Sequence, residues 1–307
     1  MKDSNDSIPL NLPLTRETFK KWRDWPINII KKKDFPEQLR VIRNCPEKLY
    51  YRGNWDNQIF EKSLAVVGSR RMSRYGQEVV AKFMPELVAN KIKIISGFMY
   101  GIDTESHKKC LEFGGITIAV LGGGLNVLAP PENGNLYNEI LEKGGLVISE
   151  YEPEFQPTLW SFPQRNRIVA GLSTLGILVV EAGIKSGSLI TARLGREQNK
   201  KIYAIPGQLT SSTAEGTNYL IKNSLGEMTI SPDDITKNKL VNLQENLFES
   251  LDPLENEIIK LLKIEALSID ELCLKMHNSV IELNTKITLM SLNNLVFEEN
   301  GKIYLKK

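Results

Sequence analysis

Phe162-Pro163-Gln164-Arg165-Asn166-Arg167 sets two guanidinium groups and an amide between apolar runs. Arginine is rarely buried without a partner, and its planar fork suits phosphate or carboxylate. The chemistry on offer is anion binding. The anion is either a ligand or a structural partner such as Glu150, Glu152, Glu154 or Glu181. Glycine-rich turns elsewhere carry a related signal. They are Gly68-Ser69-Arg70-Arg71, then Ser96-Gly97 through Gly101-Ile102-Asp103, Gly122-Gly123-Gly124, and Glu181-Ala182-Gly183 through Lys185-Ser186-Gly187-Ser188. Glycine permits sharp turns and close backbone approach, and Asp103 is suited to cap a helix. Each turn is weak evidence alone. At one sheet edge with Arg165 and Arg167, they would form a phosphate pocket.

The elements that must position these turns are legible as short Val/Ile-rich runs separated by helix-length segments. The runs are Leu64–Val67, Ile92–Ile95, Ile116–Leu121, Leu146–Ser149, Ile177–Val180 and Ile202–Ile205, with a shorter one at Met228–Ile230. Nearly continuous apolar strands of this kind belong to a parallel sheet covered on both faces. Right-handed crossovers then give an α/β, extended Rossmann-like doubly wound sheet, with ligands beyond the carboxyl ends of its strands. Residues 1–60 read as an irregular, proline-punctuated extension with short helices at best, before a Rossmann-like domain over 61–231. A polar linker, 232–250, leads to three amphipathic helices and an Asn300-Gly301 hairpin signal. The spacing predicts a small C-terminal winged-helix module over 251–307.

Composition bounds the function further. With 307 residues, 41% hydrophobic and 25% charged, the chain reads as an ordinary globular protein. No apolar run is long enough to span a membrane, and the N-terminus lacks the pattern of a secretory signal, so the expected location is cytoplasmic. Three scattered cysteines and two histidines predict neither a disulfide framework nor a metal site. The stretch from Glu249 onward holds ten acidic and seven basic residues. Since the whole chain is net +2, the excess of positive charge lies upstream, where any nucleic acid would bind.

No catalytic constellation emerges. The first turn does not fit G-x-G-x-x-G, no Walker A loop is present, and no spacing couples Ser186 or Ser188 to His107. A Rossmann-type nucleotide hydrolase is the competing reading, but the P-G-G-x-G-T-x-x-E pattern of nucleoside-monophosphate phosphoribohydrolases is matched only by Glu181-Ala182-Gly183 before Ser186-Gly187. A binding protein without catalytic residues or cofactors is expected.

These residues, in this order, resemble the DNA-processing protein A (DprA, also called Smf) family. The matching blocks are VVGSRRMSRYG at 66–76, SGFMYGIDTESHKKCLEFGGITIAVLGGGLN at 96–126, LVISEYEP at 146–153, SFPQRNRIVAGLS at 161–173, VVEAGIKSGSLITA at 179–192 and IPGQLTSSTAEGTNYLI at 205–221. The resemblance implies a non-catalytic homodimer that binds single-stranded DNA in natural transformation and loads the RecA recombinase. It implies a phosphate-contacting turn at Gly68, Ser69 and Arg70, completed by Arg165-Asn166-Arg167 and Ser186-Gly187. The turn residues Ser96, Gly97, Gly101, Gly123 and Gly124, with Lys185, complete the expected contact set. Trp160 and Phe162 are candidate base-stacking residues. One departure stands out: where the family commonly reads Tyr-Pro and then a basic residue, this chain has Ala129-Pro130-Pro131, so Arg71, Arg74 or Lys185 would have to supply the missing cation.

Overall fold

Along β3 (Ser63–Val67), Leu64 and Val66 enter one hydrophobic cluster while Ala65 and Val67 enter another. β7 (Gly176–Val179) divides in the same way, with Ile177 and Val179 opposite Leu178. Side chains alternate across a strand, so an unbroken apolar run commits both faces to burial. That is the condition for helices on each side of a parallel sheet.

The computed structural model describes residues 21–236, 253–276, 278–292, 295–299 and 301–305. The chain forms two compact units, one ending at Lys237 and the other beginning at Asn238. In the first, a nine-stranded sheet has the order β1-β2-β6-β5-β4-β3-β7-β8-β9. Its other strands are β1 (Asn28–Lys31), β2 (Lys48–Gly53), β4 (Lys93–Ser96), β5 (Thr117–Leu121), β6 (Leu146–Ser149), β8 (Ile202–Ala204) and β9 (Glu227–Met228). Neighbours from β6 through β9 are parallel, whereas β1 and β2 join antiparallel. The helices are α1 (Lys21–Asp24), α2 (Glu37–Arg40), α3 (Arg74–Ala89), α4 (Ile102–Glu112), α5 (Gly134–Glu142), α6 (Ser161–Leu172), α7 (Gly187–Glu197), α8 (Glu215–Lys222) and α9 (Asp233–Thr236). The α/β Rossmann-like expectation is met.

Residues 28–53 correct the expectation of an irregular extension. Tyr50 pairs with Ser149 and Arg52 with Val147, so β2 continues the sheet. Prolines 26, 36 and 46 bracket these strands rather than interrupt them. The buried Arg52 fixes the lead-in by donating to Trp25 O (2.9 Å), Leu125 O (2.6 Å) and Asn126 Oδ1 (2.8 Å).

In the second unit, α10 (Pro253–Leu262), α11 (Ile269–Met276) and α12 (Val280–Leu292) precede a hairpin of β10 (Val296–Glu299) and β11 (Lys302–Leu305). Gly301 lies at φ +73° in the connection, the left-handed conformation that a tight hairpin requires. Leu272, Leu283, Met290 and Ile303 lie in its core. His277 and the 237–252 stretch, which includes most of the expected linker, lie outside the described residues.

The functional consequence of the topology sits between β3 and β7. From β3 the chain proceeds outward through β4, β5 and β6, then returns to the other side of β3 at β7 and proceeds through β8. Adjacent connections therefore diverge at the carboxyl ends of β3 and β7. A crevice opens there.

Candidate functional site

A cavity of about 730 Å³ occupies this crevice. Gly68, Ser69, Arg70 and Arg71 line it from the turn after β3, Gly97 and Asp103 from the β4–α4 connection, and Arg165 and Asn166 from α6. Lys185, Ser186 and Gly187 close it from the start of α7, and Ser212, Thr213 and Glu215 from the loop before α8.

The first turn is held by its own side chain. Ser69 Oγ accepts from Arg71 N (3.1 Å) and donates to Arg71 O (2.9 Å), while Ser69 O accepts Ile102 N (3.2 Å). This geometry projects Arg70 and Arg71 outward, both exposed. Arg70 lies over the Phe162 ring, 5.1 Å from its centroid, in cation–π contact. The start of α7 supplies a second positive element. Ser186 Oγ accepts Ser188 N (3.3 Å) as the cap, and the α7 N-terminus adds partial positive charge beside exposed Lys185.

Arg165 forms the floor. It is 3% exposed; Nη1 donates to Gly97 O and Val120 O, and Nε to Asn166 Oδ1 at 3.2 Å. Burial lowers its pKa to about 10, opposed by the charge of Asp103. Asn166 also reaches Gly187 O (3.4 Å), which ties α6 to α7. Asp103 does not cap α4, because Gly101 occupies that position. Its carboxylate instead accepts Met99 N (3.3 Å). Burial raises its pKa, while Arg165 and the Met99 N–H pull it down.

Five expected contact residues lie elsewhere. Arg167 donates to both Glu150 oxygens (2.9 and 2.6 Å), to Asn44 O (2.9 Å) and to Gln164 O (3.0 Å), so its guanidinium is consumed inside the protein. Of the two opening readings, the structural ion pair is the one that holds for Arg167. Ser96 Oγ is buried and donates to Val66 O (2.6 Å). Gly101 has φ +75°, and a Cβ there would overlap Ser69 O, so it serves loop-on-loop packing. Gly123 and Gly124 are covered by residues 152–157: Gly124 N donates to Phe155 O (2.9 Å), and Asn126 N to Pro153 O (2.7 Å). The third glycine turn therefore admits a neighbouring loop rather than a phosphate. Among the described residues Glu181 pairs with no arginine; its carboxylate accepts Ser73 N (2.9 Å), Ser73 Oγ and Thr213 Oγ1 (3.1 Å).

The aromatic expectation divides. Trp160 is 59% exposed and packs edge-on to Tyr151 and Phe155, beside exposed Leu159. Phe162 is half-buried beneath Arg70 and under Gly122. The cations also fall unevenly. Next to Pro131, Glu132 accepts the Tyr100 hydroxyl (2.8 Å), while Arg71 and Lys185 line the pocket. Arg74 instead pairs with Glu78 (2.9 Å). His107 stands apart, buried with Nδ1 2.6 Å from Thr117 Oγ1, and burial lowers its pKa to about 3.

The model of the DNA recombination-mediator protein A family matches residues 27–239, more than half of the chain. The chain belongs to that family. It is 39% identical over 224 residues to Protein Smf of Escherichia coli K12, covering 71% of this chain and 59% of the relative. It is 41% identical over 199 residues to DNA processing protein DprA of Streptococcus pneumoniae R6, covering 65% of this chain and 69% of the relative. The X-ray structure of DprA from Streptococcus pneumoniae superposes with TM-score 0.64 at 38% identity, covering 71% of this chain and 76% of that one. The Helicobacter pylori DNA processing protein A, whose structure describes a single-stranded DNA binding mode, superposes with TM-score 0.63 at 28% identity, covering 71% and 97%. The family's shared region thus includes the whole crevice. Ser212 and Thr213 were missed as lining residues, because a Ser/Thr-rich loop carries no periodic or charge signal.

Proposed function

We propose that this chain binds single-stranded DNA through its phosphate backbone at the β3/β7 crevice. Its role would be that of a homodimeric DNA-processing protein that delivers the strand to the RecA recombinase. The observation that carries the DNA reading is the pairing of exposed Arg70, Arg71 and Lys185 with the α7 N-terminus, with Trp160 exposed two residues before pocket-lining Phe162. Cations and helix-end N–H groups grip phosphate without reading sequence, and an exposed indole stacks on any base. Family membership supports the proposed dimer and RecA partner, and three helices followed by a hairpin support a winged-helix reading of the second unit. The pocket's chemistry supports binding rather than turnover: Asp103 beside Arg165 is engaged by Met99 N–H, and His107 is sealed in the core.

The test is fluorescence anisotropy with a labelled oligothymidylate across a salt series, comparing wild type with Arg70→Ala and Lys185→Ala. Both substitutions should weaken binding at every salt concentration. Wild-type affinity in both variants would remove the crevice as the binding site. RecA delivery is tested separately, by RecA filament growth on single strands precoated with a single-strand-binding protein, with and without this chain.

A further inference from the structure

The third helix of the second unit, α12, buries one face and leaves the opposite one open. Leu283, Ile287 and Met290 enter the core. On the other side Ile281, Thr285, Thr288 and Leu289 follow the spacing of a single helical stripe, and all four are exposed, Ile281 at 81%. The threonines do not make the stripe hydrophilic. Thr285 Oγ1 donates to Ile281 O (2.9 Å) and Thr288 Oγ1 to Asn284 O (2.8 Å), so each hydroxyl spends its proton on its own helix. The solvent face of a surface helix ordinarily carries charge, and an uncharged stripe two turns long differs from a lone exposed leucine. The one cation of α12, Lys286, pairs with Glu255 of α10 (3.6 Å). Glu282 is exposed at the edge of the stripe, and the hairpin of the same unit exposes Glu298 and Glu299.

We infer that this face of α12 docks a cationic amphipathic helix of a partner protein. The partner lays aliphatic side chains along the stripe and sets lysine or arginine beside Glu282. The inference is independent of the proposed DNA-binding role, and the family match ends at residue 239, before this unit's helices. Charge decides among the possible occupants. A helix that enters a DNA groove is accompanied by lysines and arginines on the phosphates, whereas this face has no cation and its carboxylate repels phosphate. A second copy of the chain would bring the same face in a self-complementary contact, Glu282 included, so like charge opposes that pairing. A basic partner meets the carboxylates with complementary charge, and its apolar side gains by leaving water. From Ile281 to Leu289 the stripe is about 12 Å long, so the contact is small and of the transient kind.

The experiment titrates the full-length chain into labelled peptides about five helical turns long and follows anisotropy. One peptide places leucine and lysine at amphipathic helical spacing. A second has the same residues rearranged so that the leucines share no face, and a third replaces lysine by glutamate. Wild type should bind the first at least about tenfold more tightly than either control, the scale of burying one aliphatic side chain. Ile281→Ser combined with Leu289→Ser should abolish that preference, and Glu282→Lys should reduce it. Both proteins should keep wild-type affinity for single-stranded DNA, and because all three positions are exposed, their thermal melts should match wild type. No preference in wild type, or an unaltered one in the folded double variant, would overturn the inference. So would a double variant that loses affinity for duplex DNA, which makes the face a nucleic-acid surface, or one whose mass in solution falls, which makes it a contact between copies.

Discussion

Replacing Arg167 by alanine should damage stability and leave intrinsic DNA affinity nearly unchanged, although Arg167 belongs to the same R-N-R motif as pocket-lining Arg165. The Arg167 side chain is 7% exposed and that of Glu150 23% exposed, and four hydrogen bonds converge on the guanidinium. Removing one partner of a buried ion pair costs about 3–5 kcal/mol, because the remaining charge stays desolvated. Glu150 keeps partial contact with water, so the lower end, about 3 kcal/mol, applies. For a unit of this size that corresponds to a melting midpoint lowered by roughly 6–12 °C. The assay is thermal unfolding followed by far-UV circular dichroism, with DNA affinity measured well below the new midpoint. Replacing both partners, Glu150→Met with Arg167→Met, should recover most of the loss, since no unpaired charge remains. An Arg167→Ala protein that melts like wild type but has lost DNA binding would refute this reasoning and return Arg167 to the contact set.

At the pocket itself, Arg70→Ala and Lys185→Ala should each lower the slope of log affinity against log salt by about 0.7 per lost phosphate contact, read from the anisotropy series. Trp160→Ala should cost about 1–3 kcal/mol of single-strand affinity through lost stacking, with no shift in the melting midpoint, because the ring is mostly exposed. Gly76→Ala should destabilise the protein by about 1–3 kcal/mol in a thermal melt, since the new methyl would overlap the Glu181 carboxylate. The buried His107 predicts a pH effect. Its folded pKa is near 3 against an ordinary 6.5, so the unfolded chain binds the proton first as the solution is acidified. Stability should therefore fall with decreasing pH across that window, by up to about 1.4 kcal/mol per unit relative to His107→Gln, as measured by urea unfolding.

The parallel sheet was legible because burial on both faces leaves uninterrupted Val/Ile runs, as at Leu64–Val67 and Ile177–Val180, and helix-length segments separate them. β1 and β2 were not legible. Asn28–Lys31 is an edge strand and Lys48–Gly53 the strand beside it, both of mixed polarity; the partners of Lys48–Gly53 in β6 lie nearly a hundred residues away, and prolines nearby imitate a loop. Among the turns, Gly68-Ser69-Arg70 and Lys185-Ser186-Gly187 were found because charge and a helix start accompany the glycines. Gly123 and Gly124 were misplaced because glycine marks close approach without saying what approaches.

The amino-acid sequence alone determined the fold class and the sheet edge at which the pocket lies, and it pointed to an anion as the proposed occupant, since these follow from local pattern and residue chemistry. Only the tertiary structure separated Arg165 from Arg167, two residues apart on one helix. A step of two residues turns a helix by roughly 200°. One guanidinium therefore faces the crevice between β3 and β7, and the other turns to Glu150 at the end of β6. Which of them lines the crevice is decided by what the fold places opposite each, and no spacing within the motif encodes it.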